Sequence, residues 1–454
     1  MEIIGKENDI LLKTELGTVR GNDQGGCYEF LGIPYARAAR YEYAVPVDEW
    51  SGTLDATRMG KACPQMRSWV PHLENPHRMF YHREFREGLE FEYSEDCLNL
   101  NIFAPADAAG CPVIVFMHGG GFDSGSNAEE PFRGYALAGR GIVSVFINYR
   151  VGVFGYFAHE EIKNQYGREG NFGLDDQLTA VKWVRRHISD FGGDPDNITL
   201  LGQSAGAISI QYMCLNKDNA GLFRRAAMMS GAGLFPKFSL PKPAADTREY
   251  WQQFIEHAGC RTFEEFRALE PEKVIRALDV FKQGRKDNVY NTMPVIDGVL
   301  IKAPIDTIIS DPLRIDYLIG YTTNDMYAPI MAKIGNDFGR ANGAYIYYFD
   351  LDAPGDSNGA FHSSDLRYMF GRLDQSWRPY GKRDREVSEA MMDYMASFAK
   401  TGDPNSGNKN LLKWEKTSRS QHRVMCFRKN RSCMGRASLL KLTYNMITKG
   451  DPKS

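Results

Sequence analysis

The stretch TLLGQSAGAIS, residues 199–209, sets a serine between two glycines where an apolar run gives way to small residues. A helix would avoid Gly202 and Gly206, because glycine is about 1 kcal/mol worse than alanine in a helix interior. A tight strand-to-helix turn explains both. Such a turn holds its central residue in a strained conformation with the side chain at the tip. The residues two before and two after crowd each other, so only the smallest side chains fit. That spacing would present Ser204 as a nucleophile. Chance alone produces such pentamers often, so the rest of the chain must supply its partners.

A serine hydroxyl attacks poorly near neutral pH unless a base takes its proton, a carboxylate orients the base, and donors receive the oxyanion. In α/β-hydrolases these groups follow the order serine, acid, histidine. Of the nine histidines, only His362 and His422 follow both Ser204 and a plausible acid. His422 opens HRVMCFRK after the polar TSRSQ and reads as a solvent-facing strand start. His362 stands in SNGAFHSSDL, a loop of small residues after the strand-like AYIYYFD, and is the expected base. Asp325, just beyond LIGY, is the expected acid. Asp316 and Asp297 read as structural, and Asp352 and Asp356 remain alternatives. The glycine-rich HGGGF, 118–122, follows the strand PVIVFM, so the amides of Gly120, Gly121 and Ala205 are the expected oxyanion donors. His118 is expected to fix that loop. A dinucleotide fingerprint fails there because Ser124 occupies the third glycine position.

The frame that must position these groups is a chain of 454 residues, 43% hydrophobic and 25% charged, which is ordinary for a globule with a substantial core. We expect one domain spanning 1–454. The net charge of −2 offers no field toward nucleic acid or anionic membranes. The basic run RVMCFRKNRSCMGR reads as a strand and turn. No apolar run approaches the ~20 residues that span a bilayer, and the first residues do not make a signal peptide. With eight scattered cysteines, the expectation is a cytoplasmic protein with mostly reduced thiols. His72, His77 and His82 recur every five residues, but Pro71 and Pro76 interrupt them, so no metal site is expected, and no phosphate loop or other cofactor motif occurs.

Short strands joined by turns are expected from GTVRG to YEFLGIPYA, then a loop-rich segment from Pro64 to Glu95. Beyond it, CPVIVFM and IVSVFINYR read as strands buried on both faces. LDDQLTAVKWVRRHI has helical spacing, with Asp175 and Asp176 in its first turn and basic residues in its last, matching the helix dipole. REVSEAMMDYMASFAKTG reads as an amphipathic helix closed by Thr401 and Gly402. This alternation predicts an α/β architecture, one mostly parallel central sheet flanked by helices, with ligands at the carboxyl ends of the strands.

Several motifs in order resemble the type-B carboxylesterase family, which includes cholinesterases and bacterial esterases of the para-nitrobenzyl esterase kind. They are FLGIPYA, ACPQ, SEDCLNLNIF, HGGGF, NYRVGVFGYF, GNFGLDDQ, FGGDPDNITLLGQSAGA, PVIDG, GAFHSSDL and FAKTGDPN, running from about Thr14 to Asn405. The resemblance implies an α/β-hydrolase fold and a serine esterase without cofactor, acting on small-molecule or bulky esters. In it Ser204 is the nucleophile, His362 the base, Asp325 the acid, and Gly120, Gly121 and Ala205 the oxyanion hole. An amidase or carbamate hydrolase on the same triad is the runner-up. A non-catalytic binding relative is the third reading, disfavoured because all three triad members are present. The acid is commonly Glu in this family, Gln203 stands where cholinesterases carry Glu, and the interval between Asp325 and His362 is short. A shortened helical cap should leave the site open, rimmed by aromatic residues between Cys63 and Cys97: Trp69, Phe80, Tyr81, Phe85, Phe91 and Tyr93. Cys63 and Cys97 match the family's first disulfide pair.

Overall fold

A computed structural model describes residues 1–6, 9–66, 76–234, 240–283, 285, 292–325, 338, 343–417 and 423–435. Trp69, His72 and His422 lie outside them, as does most of the interval between Asp325 and His362. Strands β1 (Glu2–Lys6), β2 (Asp9–Thr14), β3 (Gly17–Asp23), β4 (Cys27–Pro34) and β5 (Asn99–Pro105) begin one large sheet. It continues through β6 (Cys111–Met117), β7 (Val143–Ile147), β8 (Gly193–Gln203), β9 (Arg225–Met229), β10 (Asp316–Thr322) and β11 (Ala344–Asp350). The hairpin β12 (Val424–Arg428) and β13 (Cys433–Gly435) closes it.

The spatial order is β1-β2-β3-β4-β5-β7-β6-β8-β9-β10-β11-β12-β13. Strands β7 through β12 in that order run parallel, whereas β1 to β5, the β5–β7 pair and β12–β13 are antiparallel. The expected parallel sheet is therefore its central block, and the whole sheet is mixed. The reason is connection length: β1 to β4 are joined by short turns, which can only return the chain antiparallel.

Both faces of the block are covered. Along β6, Val113, Val115 and Met117 enter one apolar layer and Ile114 and Phe116 the other, as a period of two requires. Helices α2 (Phe172–His187) and α3 (Ala205–Leu215) supply the first layer, where α4 (Arg248–His257) and α5 (Pro271–Lys282) also pack. The last long helix, α6 (Lys382–Thr401), supplies Val387, Met391, Met395 and Phe398 to the second. It ends where expected, with Gly402 in the left-handed conformation at φ 80.

Two local expectations are corrected. Asp176 does not serve the α2 dipole. It is fully buried and forked by Arg150, whose Nε and Nη2 donate to its two oxygens at 2.8 and 2.7 Å. The segment expected to be loop-rich contains helix α1 (Pro76–Phe85). Its sequence lacks an amphipathic period, so docking holds it. Buried Glu84 accepts hydrogen bonds from Arg378 Nε and Trp377 Nε1, each at 3.0 Å, and the Phe80 ring meets Phe361 edge-on at 4.9 Å. No helix among the described residues is long and apolar enough to cross a membrane.

Candidate active site

Ser204 sits between β8 and α3 with φ 53 and ψ −123, a left-handed region that non-glycine residues seldom occupy. Its N–H donates to Met229 O on the adjacent strand at 2.9 Å. The crowding inferred from the glycine spacing is present. A Cβ on Gly202 would lie 2.7 Å from the Gly206 carbonyl, and one on Gly206 would lie 2.1 Å from Met117 O. A Cβ on Gly231, beyond β9, would meet Ser204 O at 2.2 Å. The elbow is thus wedged between the ends of β6 and β9.

The loop after β6 turns back through Gly120 (φ 117), Gly121 (φ 64) and Phe122 (φ 63). Here glycine is obligatory for space as well, since a Cβ on Gly120 would stand 1.9 Å from Ser124 O. Among the described residues no hydrogen bond takes up the N–H of Gly120, Gly121 or Ala205. His118 anchors the loop as expected. Its ring stacks on Tyr149 at 4.3 Å, its Nδ1 donates to Gly119 O at 2.8 Å, and Tyr149 Oη donates to His118 O at 2.7 Å. Burial lowers its pKa, so it stays neutral.

Asp325 lies just past β10 and His362 in the loop after β11, and the two meet across the strand ends. His362 Nδ1 donates to Asp325 Oδ2 at 2.8 Å, which fixes the proton on Nδ1 and leaves Nε2 as an acceptor. Asp325 is buried, whereas 27% of the His362 side chain remains exposed. Burial pulls the His362 pKa down, but the charge and hydrogen bond of Asp325, helped by the charge of Asp365, outweigh it. The net shift is upward from the ordinary histidine value. Gln203 Nε2 occupies the acceptor, 3.3 Å from His362 Nε2. No hydrogen bond joins Ser204 Oγ to that nitrogen among the described residues.

The alternatives for the acid are placed elsewhere. Asp356 pairs with Arg378 at 2.7 Å, and Asp352 is exposed. Asp297 caps a turn by accepting from three successive backbone N–H groups, and Asp316 opens β10 beside Arg225 and Lys416. Sequence reasoning passed over Asp365, three residues after His362. It is fully buried, one oxygen accepts from Tyr347 Oη at 2.6 Å, and the other has no partner. Burial pushes its carboxyl up to about 6. The only signal was an unexplained carboxylate in HSSDL.

Ser204, His362, Gly120 and Gly121 line one cavity of about 330 Å³. Its other wall carries Tyr81 and Phe85 from α1, with Phe132 and Leu366, and one carboxylate, Glu129. Of the six aromatic residues expected at the rim, Tyr81 and Phe85 line the cavity directly. Phe80 packs on Phe361, next to His362, while Phe91 and Tyr93 stack on each other at 6.2 Å. Cys63 and Cys97 are buried thiols side by side, Cys63 Sγ also accepting from Val151 N at 3.4 Å.

A central parallel block with its reactive cluster at the carboxyl ends of the strands is the α/β-hydrolase architecture. Comparison with known proteins agrees. Residues 8–338 and 327–443 match the carboxylesterase family. Over 467 residues the chain is 28% identical to the para-nitrobenzyl esterase of Bacillus subtilis (strain 168), covering 87% of this chain and 91% of that one. It is 29% identical to the bile salt-activated lipase of Mus musculus, over 84% of this chain and 75% of the lipase. A solved thermophilic PNB esterase superposes with a TM-score of 0.80 at 25% identity, covering 95% of this chain and 99% of its own. The chain belongs to the carboxylesterase family, and its activity is that of a carboxylic ester hydrolase.

Proposed function

We propose that ester hydrolysis here runs through an acyl-enzyme on Ser204. Ser204 Oγ attacks the ester carbonyl while its proton passes to His362 Nε2. Asp325 holds the imidazole in the required tautomer and stabilises the cation that forms. The N–H groups of Gly120, Gly121 and Ala205 receive the negative oxygen of the tetrahedral intermediate. His362 then protonates the leaving alcohol, and a water activated by the same nitrogen releases the acid. For the first proton transfer Gln203 must yield His362 Nε2 to Ser204. The observation that carries this reading is the 2.8 Å His362–Asp325 bond beside the cavity that Ser204 and the glycine loop also line. A fluorophosphonate probe followed by peptide mapping tests it: one adduct is expected, on Ser204, and an adduct on another serine refutes it.

Broad specificity, with bulky aryl esters accepted, belongs to the same proposal. The aromatic wall supports it, since rings offer large contact area at low entropic cost. Comparing kcat/KM for a benzoate and an acetate ester of one alcohol checks it. A loss above about 10³-fold, some 4 kcal/mol of transition-state discrimination, means a narrow acyl pocket. A cytoplasmic setting is also part of the reading, supported by eight cysteines that are all free thiols. Titration of the denatured, unreduced protein should find eight; finding six points to a disulfide and an oxidising compartment.

A further inference from the structure

The cavity contains a charge that the ester chemistry does not use. Glu129 lines it among Tyr81, Phe85, Phe132 and Leu366, and Arg86 lies behind, outside the lining. Arg86 Nε donates to Glu129 Oε1 at 2.9 Å, with only 6% of either side chain exposed. The rest of the guanidinium is committed to the scaffold. Nη1 donates to Tyr93 Oη at 3.0 Å, Nη2 to Gln65 Oε1 at 3.2 Å, and the Phe91 ring lies 4.4 Å beneath. Gln65 is itself fixed by Gly125, whose N–H donates to its Oε1 at 3.0 Å. The carboxylate is therefore braced from behind, with the negative end of the pair toward the cavity.

Such a pair contributes little that a packed apolar pair of the same volume would not, because both charges must be stripped of water. Its place on a substrate wall suggests a role in selection. An ionised acceptor in a water-poor cavity binds a hydrogen-bond donor strongly and is poorly served by an apolar group. We propose that Glu129, positioned by Arg86, is a specificity residue favouring esters whose arm at this end of the cavity carries a donor, a hydroxyl or an ammonium. This rests on the esterase reading and narrows its substrate class.

The test measures kcat/KM for two matched pairs: methyl benzoate with methyl 4-(hydroxymethyl)benzoate, and benzyl acetate with 4-(hydroxymethyl)benzyl acetate. The first pair places the hydroxyl on the acyl arm and the second on the alcohol arm. In one pair the native enzyme should favour the hydroxylated ester about tenfold, equivalent to about 1.4 kcal/mol. The double variant Glu129→Leu/Arg86→Met, which strands no charge, should bring that ratio within twofold of one. Each ratio is taken within one protein, so changes in overall rate cancel. If the double variant does not fold, Glu129→Gln should cut the ratio at least threefold. No preference in either pair, or a preference that survives the substitutions, overturns the proposal. Fluorophosphonate labelling of Ser204 in every variant separates the two readings, since failure to label would instead strike the esterase mechanism.

Discussion

The wall that carries Ser204 and the wall that α1 builds face the same cavity but are held by different forces. On the Ser204 side the constraints are backbone against backbone: Gly206 under Met117 O, Gly231 under Ser204 O, Gly120 under Ser124 O. Each is a van der Waals limit with no tolerance for a Cβ, and it fixes where the hydroxyl and the free N–H groups stand. The α1 side rests on long-range side-chain pairing. Glu84 is gripped by Arg378 and Trp377, and Glu129 by Arg86. Steric limits suit chemistry that tolerates little displacement. Ion pairs can be exchanged without moving the strand ends, so the second wall can change its preference while the first keeps its reaction.

If that division holds, substitutions on the two walls should fail in different ways. Ser204→Ala should lower kcat by 10⁴-fold or more, roughly what oxyanion donors alone cannot supply. Its melting temperature should not fall. Asp325→Asn should lower kcat by about 10³- to 10⁴-fold with KM little changed, because the imidazole loses its preferred tautomer. Should activity instead survive there and vanish in Asp352→Asn or Asp356→Asn, the acid is misassigned.

Glu84→Leu acts on the other wall. It leaves Arg378 buried with only Asp356 to balance it, and should cost about 3–5 kcal/mol in urea unfolding. KM for aryl esters should rise, while the folded fraction still labels at Ser204. A pure kcat loss would mean that the walls are not separable. The smallest effect is on pH. With His362 shifted upward, kcat/KM should fall on acidification through an apparent pKa above ~6.5. Asp365 is one source of that shift, so Asp365→Asn should move this limb to lower pH. An unmoved limb removes Asp365 from the electrostatics of the base.

The division also explains what could be read from the sequence. Gly202, Ser204 and Gly206 are local, and their crowding was inferred before any neighbour was known. Asp325 and His362 followed from chain order combined with strand ends, and the parallel block from continuous apolar runs. Helix α1 was not legible because nothing in residues 76–85 has a helical apolar period, and its partner Arg378 is 294 positions away from Glu84. Asp176 was misjudged for a similar reason. Two acids opening a helix look alike in sequence, and only the approach of Arg150 from another strand end distinguishes them. The donor on His362 Nε2 was equally hidden, since Gln203 was notable only as an exchange for glutamate.

The backbone of Ser204, at φ 53 and ψ −123, has a consequence for how the protein would evolve. A serine held there stores about 1–3 kcal/mol that a glycine would release, less glycine's own entropic penalty of about 0.5–1 kcal/mol. The wild-type fold would then be more robust without its nucleophile. Selection for heat resistance alone, with no demand for turnover, would tend to discard Ser204 in favour of glycine. Lineages screened only for survival at high temperature should accumulate inactive proteins with raised melting points.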